Sequence, residues 1–266
     1  MQSLASGRPQ VLWLTITWAW VLGTAASLLA APPQPPAASS YAPIADLAPQ
    51  MDFYVEALEK ALEGSDDEYG ELAQRTVRKS ADMLAVLALV IGNHDQDHPR
   101  KATAGKLLAA AEELAEAAAQ QEAAQVALQQ LKQVLAGEAA GGDGDEASLE
   151  WRRVADMENL MKQVQFLNSR LKRSVKGTKL KSQADKTTAY AATLAAVAQG
   201  IVADTSDVEN DADLEKWYQF CAEMRDAAGQ VNQAIHAQDA DRVQASMEQL
   251  KASCDACHAV FEEEQL

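Results

Sequence analysis

The sequence is poor in helix-breaking residues, in aromatic side chains and in basic charge. Of its 266 residues only 13 are glycine and 8 are proline, and Phe, Trp and Tyr together make up 5%. Long stretches of Ala, Leu, Glu, Gln and Lys contain no runs of β-branched residues, which favours an all-helical fold. The 39 acidic side chains exceed the 23 basic ones and give a net charge of -16. Because this field repels phosphate backbones, we expect no nucleic-acid partner.

The amino-terminal segment has the pattern of an export signal. Arg8 and the amino terminus supply positive charge, and no charged side chain occurs from Val11 to Leu29. We therefore predict that residues 1–31 are a signal peptide or, through residues 11–29, a membrane anchor. Residues 32–43 are rich in Pro, Ala and Ser and predict a flexible or extended linker. The expected location is the periplasm or another extracytoplasmic space, either free or tethered to the membrane.

The rest of the chain divides into two similar halves. A tract rich in Gly and Asp at residues 141–147 interrupts every helical pattern and predicts a linker between residues 44–140 and residues 148–266. Short matches relate the halves: Ala-Asp-Leu at 45–47 resembles Ala-Asp-Met at 155–157, and Gln-Leu-Lys occurs at 130–132 and again at 249–251. We interpret the chain as a duplicated domain.

Apolar residues in the second half recur at alternating spacings of three and four. The seams run from Met157 to Leu171, from Tyr190 to Ile201, from Leu214 to Ile235 and from Val243 to Phe261. They predict four helices, at roughly 149–174, 184–203, 214–235 and 243–261. An antiparallel four-helix bundle buries four such stripes with short connections. The first half has four weaker, Ala-rich segments, so we predict two tandem antiparallel four-helix bundles.

The motif that carries chemistry lies on the last predicted helix. Cys254, Cys257 and His258 have the Cys-x-x-Cys-His spacing of covalent c-type haem attachment. The two sulfurs can each bond one vinyl group of a porphyrin, and the adjacent imidazole can ligate the iron. The chain has only one other cysteine, Cys221, and an odd number argues against a disulfide framework. We therefore expect one covalent haem c.

A four-helix bundle with this motif near its end resembles the class II cytochromes, cytochrome c prime and its six-coordinate c556-type relatives. The resemblance covers Trp151 to Phe261. It rests on the haem motif, on the aromatic Phe261, and on Arg153 followed four residues later by Met157. It implies that Arg153 and Phe261 lie near the haem and that the protein forms a homodimer through its first haem-domain helix. Glu262 departs from the family, which often has a basic residue there.

Topology indicates which residues can reach the other face of the iron. In an antiparallel bundle the end of the fourth helix lies beside the start of the first, where Met157 and Met161 occur. One of them, with Met161 better placed on the seam, is predicted as the sixth ligand. The alternative is that both are core methionines, which leaves a five-coordinate iron open to nitric oxide or carbon monoxide.

The remaining histidines and Cys221 have plainer interpretations. His94 and His98 lie in a polar segment that ends at Pro99, so we expect a solvated turn rather than a metal pair. His236 is expected to interact with the last carbonyl groups of its helix. Cys221 lies on a seam, where a thiol behaves as a small hydrophobe.

These features favour electron transfer by an extracytoplasmic mono-haem cytochrome. Its redox partner is not identified by the sequence, and the first half lacks a haem motif. The sequence contains no recognisable pair of nucleophile and base and no phosphate-binding loop, so we do not expect an enzyme. Two alternatives stay open: a five-coordinate protein that binds nitric oxide or carbon monoxide, and an envelope interaction module whose haem is structural.

Overall fold

A computed structural model describes residues 32–64, 69–137 and 147–261, and within these ranges the chain forms helices and no strand. The all-α prediction is confirmed for this part of the molecule. The predicted export segment, residues 1–31, and residues 138–146, which contain most of the predicted linker at 141–147, lie outside the described residues. No helix in the described ranges is both long and apolar enough to cross a membrane.

The first half contains α1 (Ile44–Ala61), α2 (Glu71–Gly92), α3 (Ala104–Ala117) and α4 (Gln121–Leu135). Consecutive helices pack on one another, α1 on α2, α2 on α3 and α3 on α4. A short 3-10 helix, Pro99–Thr103, leads into α3.

The second half contains α5 (Met157–Ser174), the single turn α6 (Lys179–Ser182), α7 (Ala184–Gly200), α8 (Leu214–His236) and α9 (Ala240–Phe261). Helix α7 packs on α5 and α8, and α8 packs on α9. The turn between α8 and α9 is tight: Gln238 adopts a left-handed φ of 53°, and the Asp239 carboxylate accepts the backbone N–H of Arg242. This turn sends α9 back along α8.

Helix α5 begins later than the predicted start near residue 149. The Asp156 carboxylate accepts the backbone N–H of Asn159 at 3.0 Å and caps the helix, so Met157 is its first residue. Val154 and Ala155 are buried although they precede the helix. Buried residues therefore precede the helix, and the Asp156 cap rather than burial marks its start.

The two halves share one continuous hydrophobic core. Helices α1 and α2 both contact α7, and α2 also contacts α5. Every residue of α2 from Ala81 to Ile91 and every residue of α7 from Thr187 to Gly200 is buried. One close approach is at Gly200, where a Cβ would lie 2.7 Å from Cγ1 of Val86. Within these stretches neither helix has a solvent-facing side, although the first turns of both are exposed, so each half completes the core of the other.

Hydrogen bonds between the halves accompany this packing. The Asp46 carboxylate on α1 accepts from the Asn232 amide at 2.8 Å and from Nε2 of His236 at 2.8 Å. The Asp82 carboxylate on α2 accepts from the Asn159 amide at 2.9 Å. His236 therefore contacts the other half rather than the last carbonyl groups of its own helix, which corrects the sequence-based expectation.

Residues 32–43 were predicted to be a flexible or extended linker, but the last residues of this segment pack against the protein. Ala38, Tyr41 and Ala42 are buried, and the Arg225 guanidinium lies 5.5 Å from the centre of the Tyr41 ring. A Cβ on Gly229 of α8 would lie 2.9 Å from the Tyr41 Cα, so glycine permits this contact. The apolar side chains of this segment dock because α8 offers them a close-fitting surface.

Candidate functional site

The predicted attachment residues lie on the last two turns of α9. Cys254 and Cys257 are separated by about one turn on the half-buried side of the helix, and His258 follows directly. All three are partly buried. The same side of α9 is fully buried earlier along the helix, at Val243 and Leu250. The motif thus continues the stripe by which α9 packs on the rest of the protein.

A cavity of about 740 Å³ opens between α9, the start of α5 and one side of α8. Small-molecule and cofactor sites commonly enclose about 300–1,000 Å³. The lining includes all seven residues singled out from the sequence as attachment, ligand or neighbouring residues: Arg153, Met157, Met161, Cys254, Cys257, His258 and Phe261. The fold therefore brings residues about a hundred positions apart in the sequence to one concave surface.

The two candidate sulfur ligands differ in burial. Met157, the first residue of α5, is 7% exposed, whereas Met161 one turn later is only partly buried. The buried stripe of α5 continues through Leu160 and Val164 rather than through Met161. Both methionines line the cavity. Met161 was preferred from its place on the seam, but Met157 is the more buried of the two.

Helix α8 supplies cavity residues that sequence reasoning did not assign to the site. Trp217, Phe220, Cys221 and Met224 line one side. The Trp217 ring meets the Phe261 ring edge-on at a centroid distance of 5.3 Å, and Phe220 approaches the same ring at 6.1 Å. These contacts join α8 to the end of α9 and enclose the cavity in aromatic surface. The seam position of Trp217, Cys221 and Met224 indicated burial but not which site they would face, and Phe220 lies beside the seam.

Burial controls the chemistry of the cavity thiols. Desolvation raises the pKa of Cys257 to about 11, with a further contribution from the neighbouring Cys254 and Asp207. Desolvation also raises the pKa of Cys254, against a smaller lowering effect from Lys172. Both groups are therefore neutral thiols near pH 7, which suits an apolar cavity better than thiolates would.

A polar rim closes the α5 end of the cavity. The Arg153 guanidinium lies 3.6 Å from the buried Asp204 carboxylate and 3.8 Å from that of Asp156. Asp207 also lines the cavity, and burial together with Asp204 raises its pKa. Arg153 is thus the cation among several carboxylates at this edge, where it offsets their mutual repulsion.

His94 and His98 each make hydrogen bonds to the backbone. His94 is 1% exposed, its Nε2 lies 3.1 Å from the carbonyl oxygen of Ala42, and its Nδ1 accepts the backbone N–H of Gln96. The expectation of a solvated turn is wrong for this residue, because the docked segment before α1 covers it. His98 Nδ1 accepts the backbone N–H of Arg100 at the start of the 3-10 helix. Among the described residues, no group of three or more His, Cys, Asp or Glu side chains converges as around a metal ion.

The corresponding part of the first half is filled by side chains. If the halves are aligned on Ala-Asp at 45–46 and 155–156, Met51 corresponds to Met161; Met51 is 1% exposed, and Tyr54 and Leu131 are equally buried. If they are aligned on the Gln-Leu-Lys matches, the haem motif corresponds to Leu135, which ends α4, and to Glu138 and Ala139, which lie outside the described residues. No family model, curated protein or solved structure matches the chain. The cavity and its donor groups are therefore the features that bear on function.

Proposed function

We propose that the chain is an extracytoplasmic cytochrome that carries single electrons on one covalently bound haem c. The observation that carries the proposal is the cavity. Its α9 side presents two thiols and an imidazole in the attachment spacing, and its α5 side presents two thioether sulfurs. Thiols, imidazole and thioether are the donor set of c-type haem. The rest of the lining combines an apolar and aromatic side, which includes Trp217 and Phe220, with the polar rim at Arg153 and Asp207. The residues present therefore fit this cofactor.

Each residue has a role in this proposal. Cys254 and Cys257 would hold the porphyrin through thioether bonds, His258 would supply the proximal nitrogen, and Met157 or Met161 would supply the opposite sulfur. When bound, the haem iron supplies one-electron chemistry by alternating between its ferric and ferrous states. The aromatic side of the cavity limits access of water, which strengthens the electrostatic influence of the groups around it.

The proposed architecture is two antiparallel four-helix bundles, α1 to α4 and α5, α7, α8 and α9, that follow an export segment. We propose that the first, haem-free bundle supports the cofactor site from behind. Its Asp82 holds the Asn159 side chain, two residues from Met157, and α2 packs against α5. The first two turns of α5 thereby gain a fixed position, which a sulfur ligand requires.

The test is the absorption spectrum of the full chain produced with a c-type haem maturation system. We expect covalent haem that survives denaturation, a low-spin spectrum in both oxidation states, and no change on adding carbon monoxide to the reduced protein. The Cys254→Ala/Cys257→Ala chain is expected to lose the covalent haem. A chain that never acquires covalent haem would contradict the proposal.

The sulfur ligand is identified by three matched substitutions. Met157→Leu and Met161→Leu each remove one thioether from the cavity and keep the side-chain volume, whereas Met51→Leu makes the same change in the haem-free half. We expect one cavity variant alone to become high-spin and to bind carbon monoxide. If the unmodified protein is high-spin and already binds carbon monoxide, the gas-binding alternative replaces electron transfer. A low-spin spectrum that neither cavity variant alters would show that neither methionine is the ligand.

A further inference from the structure

The cavity contains a third thiol that the proposed cytochrome does not use. Cys221 on α8 is 3% exposed and lines the same cavity as Cys254 and Cys257. All three cysteines are free. A buried cysteine beside two attachment cysteines is chemically different from an isolated core thiol, because a disulfide partner is available to it.

The register of α8 against α9 identifies the partner. The two helices run antiparallel through the tight turn at Gln238, and the Trp217 and Phe261 rings meet at 5.3 Å. One turn further along α8 is Cys221, and one turn back along α9 is Cys257. Since steps in opposite sequence directions follow the same spatial direction in an antiparallel pair, Cys221 lies opposite Cys257. Consistent with this, the Cys257 thiol contributes to raising the pKa of Cys221.

The geometry of packed helices permits a bond between such positions. Packed helix axes are about 8–10 Å apart and Cα atoms lie about 2.3 Å from the axis, so facing Cα atoms are separated by roughly 3–5 Å. A disulfide requires a Cα separation of about 4.4–6.8 Å, so the wider part of this range is suitable. Cys254 lies one turn beyond Cys257 and faces a different level of α8.

We propose that Cys221 and Cys257 form a cross-helix disulfide while the cavity is empty, and that this bond prevents covalent haem attachment until it is reduced. The inference rests on the proposed function, since attachment is what the bond would control. The redox state of these two cysteines in the haem-free protein would then determine whether haem can be attached.

The oxidant is a disulfide, either of a protein or of a small molecule such as oxidised glutathione. The Cys257 sulfur, as thiolate, attacks the oxidant, breaks its S–S bond and releases one thiolate, which leaves a mixed disulfide. The Cys221 sulfur then gives up its proton, attacks the Cys257 sulfur and releases the second half of the oxidant as a thiol. Two electrons and two protons pass to the oxidant, which is thereby reduced to two thiols. The half-buried Cys257 is the sulfur that such an oxidant can reach.

The first experiment uses the full chain produced without haem and carrying Cys254→Ser, so that only Cys221 and Cys257 can pair. After treatment with oxidised glutathione and alkylation, we expect mass mapping to find a peptide linked between these residues and no free thiol. The matched control carries Cys257→Ser and leaves Cys221 with Cys254, a pair that is out of register. In the control we expect Cys221 to stay a free thiol during oxidation, so that mass mapping finds it alkylated.

Two results would overturn the proposal. One is a Cys254→Ser chain in which Cys257 carries glutathione while Cys221 stays free. The other is an unmodified chain in which oxidation links Cys254 to Cys257 and leaves Cys221 free. Since both are measured without haem, their outcome does not depend on the proposed cytochrome function.

The second experiment tests the consequence for attachment. The Cys254→Ser chain is oxidised with diamide, freed of reagent and incubated with ferrous haem, with and without a thiol reductant; a chain carrying Cys221→Ala in addition is treated in parallel. We expect covalent haem on Cys257 in the first chain only after reduction, and in the second under both conditions. If the oxidised and the reduced Cys254→Ser chain acquire equal amounts of haem, the disulfide does not regulate attachment and this part of the proposal is refuted. An unmodified, reduced chain that acquires no covalent haem from the maturation system would overturn the cytochrome proposal, and the disulfide result would stand separately.

Discussion

Gly200 on α7 lies against Val86 on α2, so replacing it tests directly whether the two halves share a core. In Gly200→Ala the added methyl would start 2.7 Å from the Val86 Cγ1, well inside van der Waals contact. Overpacking of this kind costs about 1–3 kcal/mol, and the better helix propensity of alanine returns about 1 kcal/mol. We expect a net loss of roughly 0–2 kcal/mol in the free energy of unfolding.

The decisive measurement is a double-mutant cycle. Val86→Ala alone leaves a void and should cost about 2 kcal/mol. In the double variant the new methyl of Ala at position 200 occupies space that Val86 vacated, so the combined loss should be at least about 1 kcal/mol smaller than the sum of the single losses. Denaturant unfolding of all four chains gives the coupling energy, with Val77→Ala, buried elsewhere on α2, as the additive control. Strict additivity between Gly200→Ala and Val86→Ala would show that α7 does not pack on α2 as described.

Two further substitutions test the polar contacts between the halves. Burial raises the pKa of Asp82 to about 6 from its ordinary 3.8, so the native state favours the protonated acid. The stability that protonation contributes is present below about pH 4 and is lost as the pH rises through about 6. Relative to Asp82→Asn, the unmodified chain should therefore lose about 3 kcal/mol of unfolding free energy between pH 4 and pH 7, measured by denaturation at each pH; a difference that is constant with pH would contradict this. Asn232→Ala removes a donor from the buried Asp46 carboxylate and should cost about 2–3 kcal/mol at pH 7, whereas Asn210→Ala, outside any helix, should change stability by less than about 0.5 kcal/mol.

Local pattern was sufficient to predict helical structure. The haem motif, the bundle topology and the family resemblance together selected seven of the residues that line the cavity, but none of those on α8. The seams that predicted α8 and α9 correspond to Leu214–His236 and Ala240–Phe261. This worked because the apolar period is a property of each helix by itself, and the antiparallel connection follows from a short turn. The start of α5 was missed although Asp156 is a good capping residue three positions before Asn159.

Contacts between distant segments could not be read from periodicity. The burial of His94 depends on the chain before α1, and the contact of His236 depends on Asp46, more than a hundred residues away. The place of Cys221 opposite Cys257 needs the register of two helices. One signal of the shared core was present, because α7 is apolar around its whole circumference from Ala189 to Ala198 apart from Thr193, as expected of a helix enclosed by others.

The enclosure of α2 also has a consequence for the order of events during synthesis. Ribosomes deliver α1 to α4 before any residue of α7 exists, so one apolar side of α2 has no partner in the growing chain until Ala184–Gly200 has followed. Partly assembled chains with such uncovered surface aggregate readily or bind chaperones. The first half is therefore synthesised first but completes its native packing only after α5 and α7 have been synthesised.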